Sequence, residues 1–161
     1  MIRFLVLLFL FCSCATKPPA SKLFPFGVYR HQVTVERKGT TQSFSGVNKW
    51  TSHDLTLVAL GAMDVTLIKY TENLMNGDQQ VFIDENFIPM SEKQAKKYFG
   101  FVKEIYSLDR SICEKKRCHK KFYRTMDFYF DLNDANEVSE IWFEIRDAKV
   151  RIKVVGYEKS V

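Results

Sequence analysis

The chain lacks an apolar run long enough to span a bilayer as a helix, and it is short of histidine, glycine and proline. Each shortage excludes something. A transmembrane helix needs about 20 apolar residues, and the run Phe4–Phe11 falls far below that. With three histidines, the one imidazole next to an acid in sequence is His53, beside Asp54 in turn-forming sequence, and no Ser or Cys stands out as its nucleophile. The seven glycines form no phosphate loop or dinucleotide fingerprint, and no paired metal carboxylates appear. Three of the four prolines fall within residues 15–26, so the rest of the chain is free to form strands and helix. No internal repeat is visible.

What is present at the N-terminus reads as an export signal: Arg3, the apolar run Phe4–Phe11, then Ser13 before Cys14. Lipoprotein signal cleavage needs a small residue before the modified cysteine, which Ser13 supplies for Cys14 and Phe11 does not supply for Cys12. Residues 1–13 are therefore expected as a lipoprotein signal peptide, Cys14 as the lipidated residue, and residues 14–26 as anchor and tether. Two or three acyl chains on Cys14 would hold the protein firmly, because one chain alone binds only marginally. Ala15, rather than Asp, after the cysteine favours the outer membrane. The alternative is an ordinary secretory signal that happens to carry cysteines near its cut.

Removing residues 1–13 leaves 148 of the 161 residues, enough for one domain with a core. The net charge of +5 becomes +4 once Arg3 leaves. That balance suits anionic lipid headgroups, or serves solubility alone, and an exported lipoprotein meets no nucleic acid. Cys113 and Cys118 are the cysteines left after Cys14, and in an oxidising compartment they are expected to form a disulfide that pins a local turn. Cys113, Cys118 and His119 also match a rare haem-attachment spacing, in one copy, and a zinc site there would lack a fourth ligand. No cofactor or metal is expected.

From Gly27 the pattern alternates with period two. Tyr29, His31, Val33 and Val35 share one face of a first strand, and Phe44, Gly46, Asn48 and Trp50 share one face of a second. His31 in an apolar phase reads as a core histidine rather than a catalyst. Further strands are expected over 55–60, 63–70 and 80–83, with Met63, Val65 and Leu67 in phase, then over 122–132, 138–146 and 149–157. Between them Ser91 and Gln94 form a capping box. Ala95, Tyr98, Phe99, Val102, Ile105 and Tyr106 then recur at helical spacing, predicting one amphipathic helix over 92–108, weakened at Gly100.

This order of elements resembles LolB-like outer-membrane lipoproteins, and more closely the LolB-like lipoproteins encoded beside aryl-polyene gene clusters. The segments that carry the resemblance are 28–35, with Val28-Tyr-Arg-His-Gln-Val-Thr-Val35, then Phe44-Ser-Gly-Val-Asn-Lys-Trp50, 55–61 and 64–70. It implies an α+β fold: an antiparallel, strongly curved incomplete β-barrel, one main helix plugging its concave face, as a lipid-binding domain over 27–161. It also implies a non-enzymatic function, the binding or transfer of lipidated or amphiphilic molecules through their acyl chains in an apolar cavity, by a monomer at the periplasmic face of the outer membrane. Leu60 occupies the place of a membrane-inserting loop leucine, and Leu60 and Met63 of this segment are expected to meet the membrane. The proline usual before that leucine is Ala59 here.

The residues alone lead to a similar question. A helix of about 17 residues is about 25 Å long, too short to cover so broad a sheet, so the apolar face closes on itself or receives a ligand. Phe44, Trp50, Met63, Leu67, Tyr98, Phe99, Met126, Phe128 and Phe130 would line such a cavity. Alternatively these side chains pack with one another, and the protein is a structural or accessory lipoprotein whose exposed strand edge recruits a protein partner.

Overall fold

A computed structural model describes residues 21–86, 88, 90–122 and 126–159. The signal peptide, Cys14 and the tether as far as residue 20 lie outside the described residues.

The described residues form ten strands, most of them built from alternating apolar and polar residues. They are β1 (Gly27–Arg37), β2 (Thr40–Trp50), β3 (Asp54–Leu60), β4 (Thr66–Asn73), β5 (Gln79–Ile83), β6 (Cys113–Glu114), β7 (Arg117–Phe122), β8 (Met126–Leu132), β9 (Val138–Ile145) and β10 (Ala148–Lys159). One antiparallel sheet contains them all, in the order β5-β4-β3-β2-β1-β10-β9-β8-β7-β6. The long pairing of β1 with β10 joins an N-terminal meander to a C-terminal one. The helical segment falls in two pieces, α1 (Glu92–Gly100) and α2 (Val102–Tyr106), which break at Phe101 beside the glycine. Ser91 caps α1: its hydroxyl accepts from the Gln94 amide, and the Gln94 side chain accepts from the Ser91 amide.

The expected α+β class and incomplete barrel are corrected by this architecture. Among the described residues strands hold 59% and helices 14%, the sheet is open, and β5 and β6 are its edges. The chain is mainly β. Two sequence signals account for the difference. The basic stretch between the cysteines forms a hairpin instead of a loop, with Lys115 in the left-handed region at its tip. The expected strand over 122–132 reverses on itself, so Phe122 on β7 pairs with Met126 on β8.

The sheet bends around the helices. The Phe99 ring lies 5.8 Å from Tyr70 on β4, and the Phe101 ring 5.8 Å from Phe128 on β8. In a flat sheet those strands, six spacings apart in this order, would be separated by about 29 Å. Two neighbouring helix side chains cannot lie against both strands across that distance.

The core fills one end of the inner face. Phe24 is fully buried and packs against Tyr29, Tyr106 and Phe130, while Trp50 packs against Phe26 and Tyr106. Residues 21–26, expected as the end of the tether, thus belong to the folded domain: Leu23 and Phe24 are buried, and the Leu23 amide donates to the Leu108 carbonyl. Glu72 on β4 is buried as well. It accepts from the Tyr70 hydroxyl at 2.8 Å and from Lys103 on α2 at 2.7 Å, fastening helix to sheet.

Candidate functional site

The strand registers place Tyr29, His31, Val33 and Val35 of β1 on the inner face, opposite Asn48, Gly46, Phe44 and Gln42 of β2. Val154, Ile152 and Val150 of β10 continue the rows through Ile141 and Phe143 of β9 to Phe130 and Phe128 of β8. Exposure is graded along these rows. Tyr29 and His31 are buried, whereas Val33, Val35, Phe44, Val150 and Ile152 are only half-buried although they point inward. The short helices stop before covering them.

The uncovered part is a cavity of about 280 Å³. Its walls are Val33, Val35, Phe44, Gly46, Leu57, Val58, Ala59, Ile141, Phe143, Val150 and Ile152 from the sheet, Phe128 from β8, and Phe99, Phe101, Val102 and Ile105 from the helices. Gly46 widens it at the row of His31: an added Cβ would meet the Val58 carbonyl at 3.4 Å and the His31 Cβ at 3.9 Å.

Three polar side chains complete the lining, and they form one cluster at the filled end. Tyr106 Oη lies 2.8 Å from Asn48 Nδ2 and 3.2 Å from His31 Nε2, and His31 and Tyr106 are 3% and 2% exposed. Asn48 donates to the Tyr106 oxygen. His31 Nδ1 has no partner. A buried polar atom left unpaired costs about 1–3 kcal/mol, so this one calls for an explanation. Burial lowers the His31 pKa to about 4, which keeps the ring neutral near pH 7, and burial raises the Tyr106 hydroxyl well above the usual tyrosine range.

The hairpins at the open end are charged. Arg37 and Lys38 in the β1–β2 hairpin pair with Asp147 in the β9–β10 turn, at 3.1 Å and 3.7 Å, with Arg146 and Lys149 nearby. The Arg37 hydrogen bond holds the Asp147 carboxyl below its ordinary range. The β3–β4 loop also lies at this end. There Met63 is 94% exposed and Val65 44%, and Met63 and Asp64 both adopt positive φ, near 55° and 57°.

The expected cavity residues divide. Phe44, Phe99 and Phe128 line the cavity. Trp50 and Phe130 are buried in the core, and Met126 packs against that core. Leu67 lies elsewhere: β4 starts only at Thr66 and a bulge follows Ala59, so Ile68 and Tyr70 take the inner face and Leu67 lies against Gly61. A slip of one residue moves a side chain to the other face. The Tyr98 side chain lies outside the described residues. Leu60 is a half-buried strand residue paired with Ser45 and Thr66, so the protruding side chain is Met63.

Cys113 and Cys118 form a disulfide (S–S 2.00 Å) across the β6–β7 hairpin. His119 is engaged with Asp127 at 2.7 Å and stacks on Tyr129. His53 sits in the turn before β3, where its carbonyl accepts from the Leu74 amide. Among the described residues no group of three His, Cys, Asp or Glu could hold a metal ion, and no helix is long and apolar enough to cross a membrane.

The polar cluster escaped sequence reasoning as a unit. Its signal was His31 in an apolar strand phase, but His31 and Tyr106 are 75 residues apart and only the fold joins them. Neither a protein-family model nor a curated protein matches this chain.

Proposed function

We propose that this protein is a lipoprotein, anchored through Cys14 at the periplasmic face of the outer membrane, that binds or passes on lipidated or amphiphilic molecules without covalent chemistry. The observation that carries the reading is the inner apolar face left only half-buried around a cavity of about 280 Å³. Ligand sites are concave, mostly apolar, and carry a few convergent polar groups, which describes this cavity and its His31–Asn48–Tyr106 cluster. The resemblance to LolB-like lipoproteins supports the same role, as does the export signal ending in Cys14.

The loop that carries Met63 fits a membrane-facing role better than Leu60 does. An exposed methionine held in a conformation that L-residues rarely adopt has no packing reason to be there. Basic residues in the neighbouring hairpins would meet anionic headgroups at the same end.

The test is mass spectrometry under native conditions on exported protein in which Cys14 is replaced by alanine, which removes the anchor's own lipid. Co-purifying lipid bound in a one-to-one complex is the expected result. A folded protein that carries no lipid and takes up no added single-chain amphiphile overturns the reading.

A further inference from the structure

We propose that the guest of the cavity is a single-chain carboxylate: its hydrocarbon chain lies tail first in the apolar cavity, and its carboxylate stays at the open end, where Arg37, Lys38 and Arg146 meet it. This assignment rests on reading the cavity as a ligand site, and it adds the guest's charge and its direction.

The direction follows from the lining. The polar side chains of the cavity are His31, Asn48 and Tyr106, and they are closed to a guest. Tyr106 is hydrogen-bonded to Asn48 at 2.8 Å and to His31 at 3.2 Å, and the remaining ring nitrogen, His31 Nδ1, has essentially no exposed surface. Among the described residues no Lys, Arg, Asp or Glu lines the cavity. A charged end group at its floor would be buried without a partner, whereas a methyl end meets only apolar walls. A volume of about 280 Å³ equals about nine waters at about 30 Å³ each, so one unbranched chain of about nine carbons fills it.

The charge follows from what stands at the mouth. Val35 and Val150 form the last inner-face row of the cavity, and the next row, about 7 Å further along the strands, pairs Arg37 with Ala148. A second concavity, of about 410 Å³, opens there between the β1–β2 and β9–β10 hairpins. Its charged groups divide by face. Glu36, Lys149 and Glu144 fall in one cross-strand row of the outer face, so both acids have the lysine beside them. On the inner side and at the hairpin tips stand Arg37, Lys38 and Arg146, with Asp147 as their one carboxylate. That excess of cations favours a second carboxylate. Asp147 shows how this cluster holds such a group: Arg37 Nε donates to both of its oxygens, at 3.1 Å and 3.2 Å, and Lys38 Nζ lies 3.7 Å away. Among the described residues the terminal nitrogens of Arg37 and the whole Arg146 side chain make no ion pair. A guanidinium presents its donors in a planar fork that matches a carboxylate, so Arg37 can keep Asp147 on Nε and take the guest on its terminal nitrogens. The Arg37 and Lys38 side chains are 62% and 76% exposed, so the contact is screened and sets the guest's direction more than its affinity.

Decanoate, 1-decanol and decyltrimethylammonium, each below its aggregation threshold, test this on folded wild type, Arg37→Gln and Asp147→Asn. Binding is measured at pH 7.5 and an ionic strength of about 0.01 M, where screening is weak. The 1-decanol arm reads the cavity alone. Arg37→Gln should weaken decanoate about threefold and leave 1-decanol unchanged. Asp147→Asn removes the competing carboxylate and should tighten decanoate by a similar factor, a gain that damage to the hairpins would not produce. Both effects should shrink at about 0.15 M salt, and decyltrimethylammonium should respond to each variant with the opposite sign. NMR on wild type reads the direction without any variant: contacts should join the methyl end of decanoate to Gly46 and the methylene beside its carboxylate to Val35. Equal changes for decanoate and 1-decanol, or a decyltrimethylammonium response of the same sign as decanoate's, overturn the charge assignment and leave the cavity standing. A methyl end beside Val35 overturns the direction. Failure of wild type to bind both decanoate and 1-decanol overturns the cavity reading and this assignment together.

Discussion

The two ends of the inner face are made by the same strands with the same alternation, and they differ in what covers them. At one end the segment 21–26 folds back, and Phe24 and Tyr106 fill the space between Tyr29, Trp50 and Phe130. At the other end Val33, Val35, Phe44 and Val150 point inward from equally regular strands and remain only half-buried. Alternation therefore decides which side chains face in. It does not decide whether anything meets them there.

That contrast breaks most sharply under truncation. Phe24→Ala should lower the unfolding free energy by about 3–5 kcal/mol, because a fully buried ring would leave a cavity beside Tyr29, Tyr106 and Phe130. Val35→Ala, an equally inward residue at the open end, should cost about 1 kcal/mol or less. Urea unfolding of both variants decides it, and equal costs would mean that the open end is in fact closed. Below these in size comes the hairpin staple. Replacing Cys113 and Cys118 with serine should cost about 2 kcal/mol in the chain-entropy model for so short a loop. The loss should be local: hydrogen exchange rises in β6 and β7 and is unchanged in β1 and β10, which share no pairing with that edge.

Acid separates the two ends through His31. Its folded pKa, about 4, lies below its unfolded value of about 6.5, so the unfolded chain takes up the proton first as pH falls. Stability is full above pH 6.5 and is lost progressively as pH drops toward 4. Between pH 7 and pH 5 that single group should remove about 2 kcal/mol. The difference between denaturation midpoints at those two pH values should shrink in His31→Phe. If the variant keeps the wild-type pH dependence, His31 is not held neutral by burial.

Much of the inner face was legible in the sequence, because it rests on local signals. Phe44, Gly46, Asn48 and Trp50 share a face as the alternation of β2 requires, and Ser91 with Gln94 starts α1 where the capping pattern says. The failures have physical sources. Leu67 was misplaced because Met63–Val65 forms a loop and a bulge follows Ala59, a combination that shifts the phase by one. The basic run Arg117–Lys121 gave no apolar alternation, yet β7 finds a partner in β8, which no local pattern reveals. Leu23 and Phe24 sat among prolines and read as tether, although two large apolar residues so close to the first strand had a core to join. The polar cluster was the least legible part, since three single residues on β1, β2 and α2 acquire meaning only when the sheet bends around the helix.

The smallest effect on stability should come from the loop at the open end, and it separates folding from contact. Met63 holds φ near 55° with its side chain 94% exposed, so its conformation gains nothing from packing. Glycine adopts that backbone without the steric cost, roughly 1 kcal/mol, that an L side chain pays there. Met63→Gly should therefore leave stability unchanged or raise it by up to about 1 kcal/mol. If the loop meets a membrane, the same variant should bind vesicles containing anionic lipid more weakly than wild type, in protein lacking the Cys14 anchor. A residue that costs stability and strengthens a surface contact is kept for the contact. Unchanged vesicle binding would show instead that the methionine does not touch the bilayer, and would leave the basic hairpins beside it as the membrane-facing part of that end.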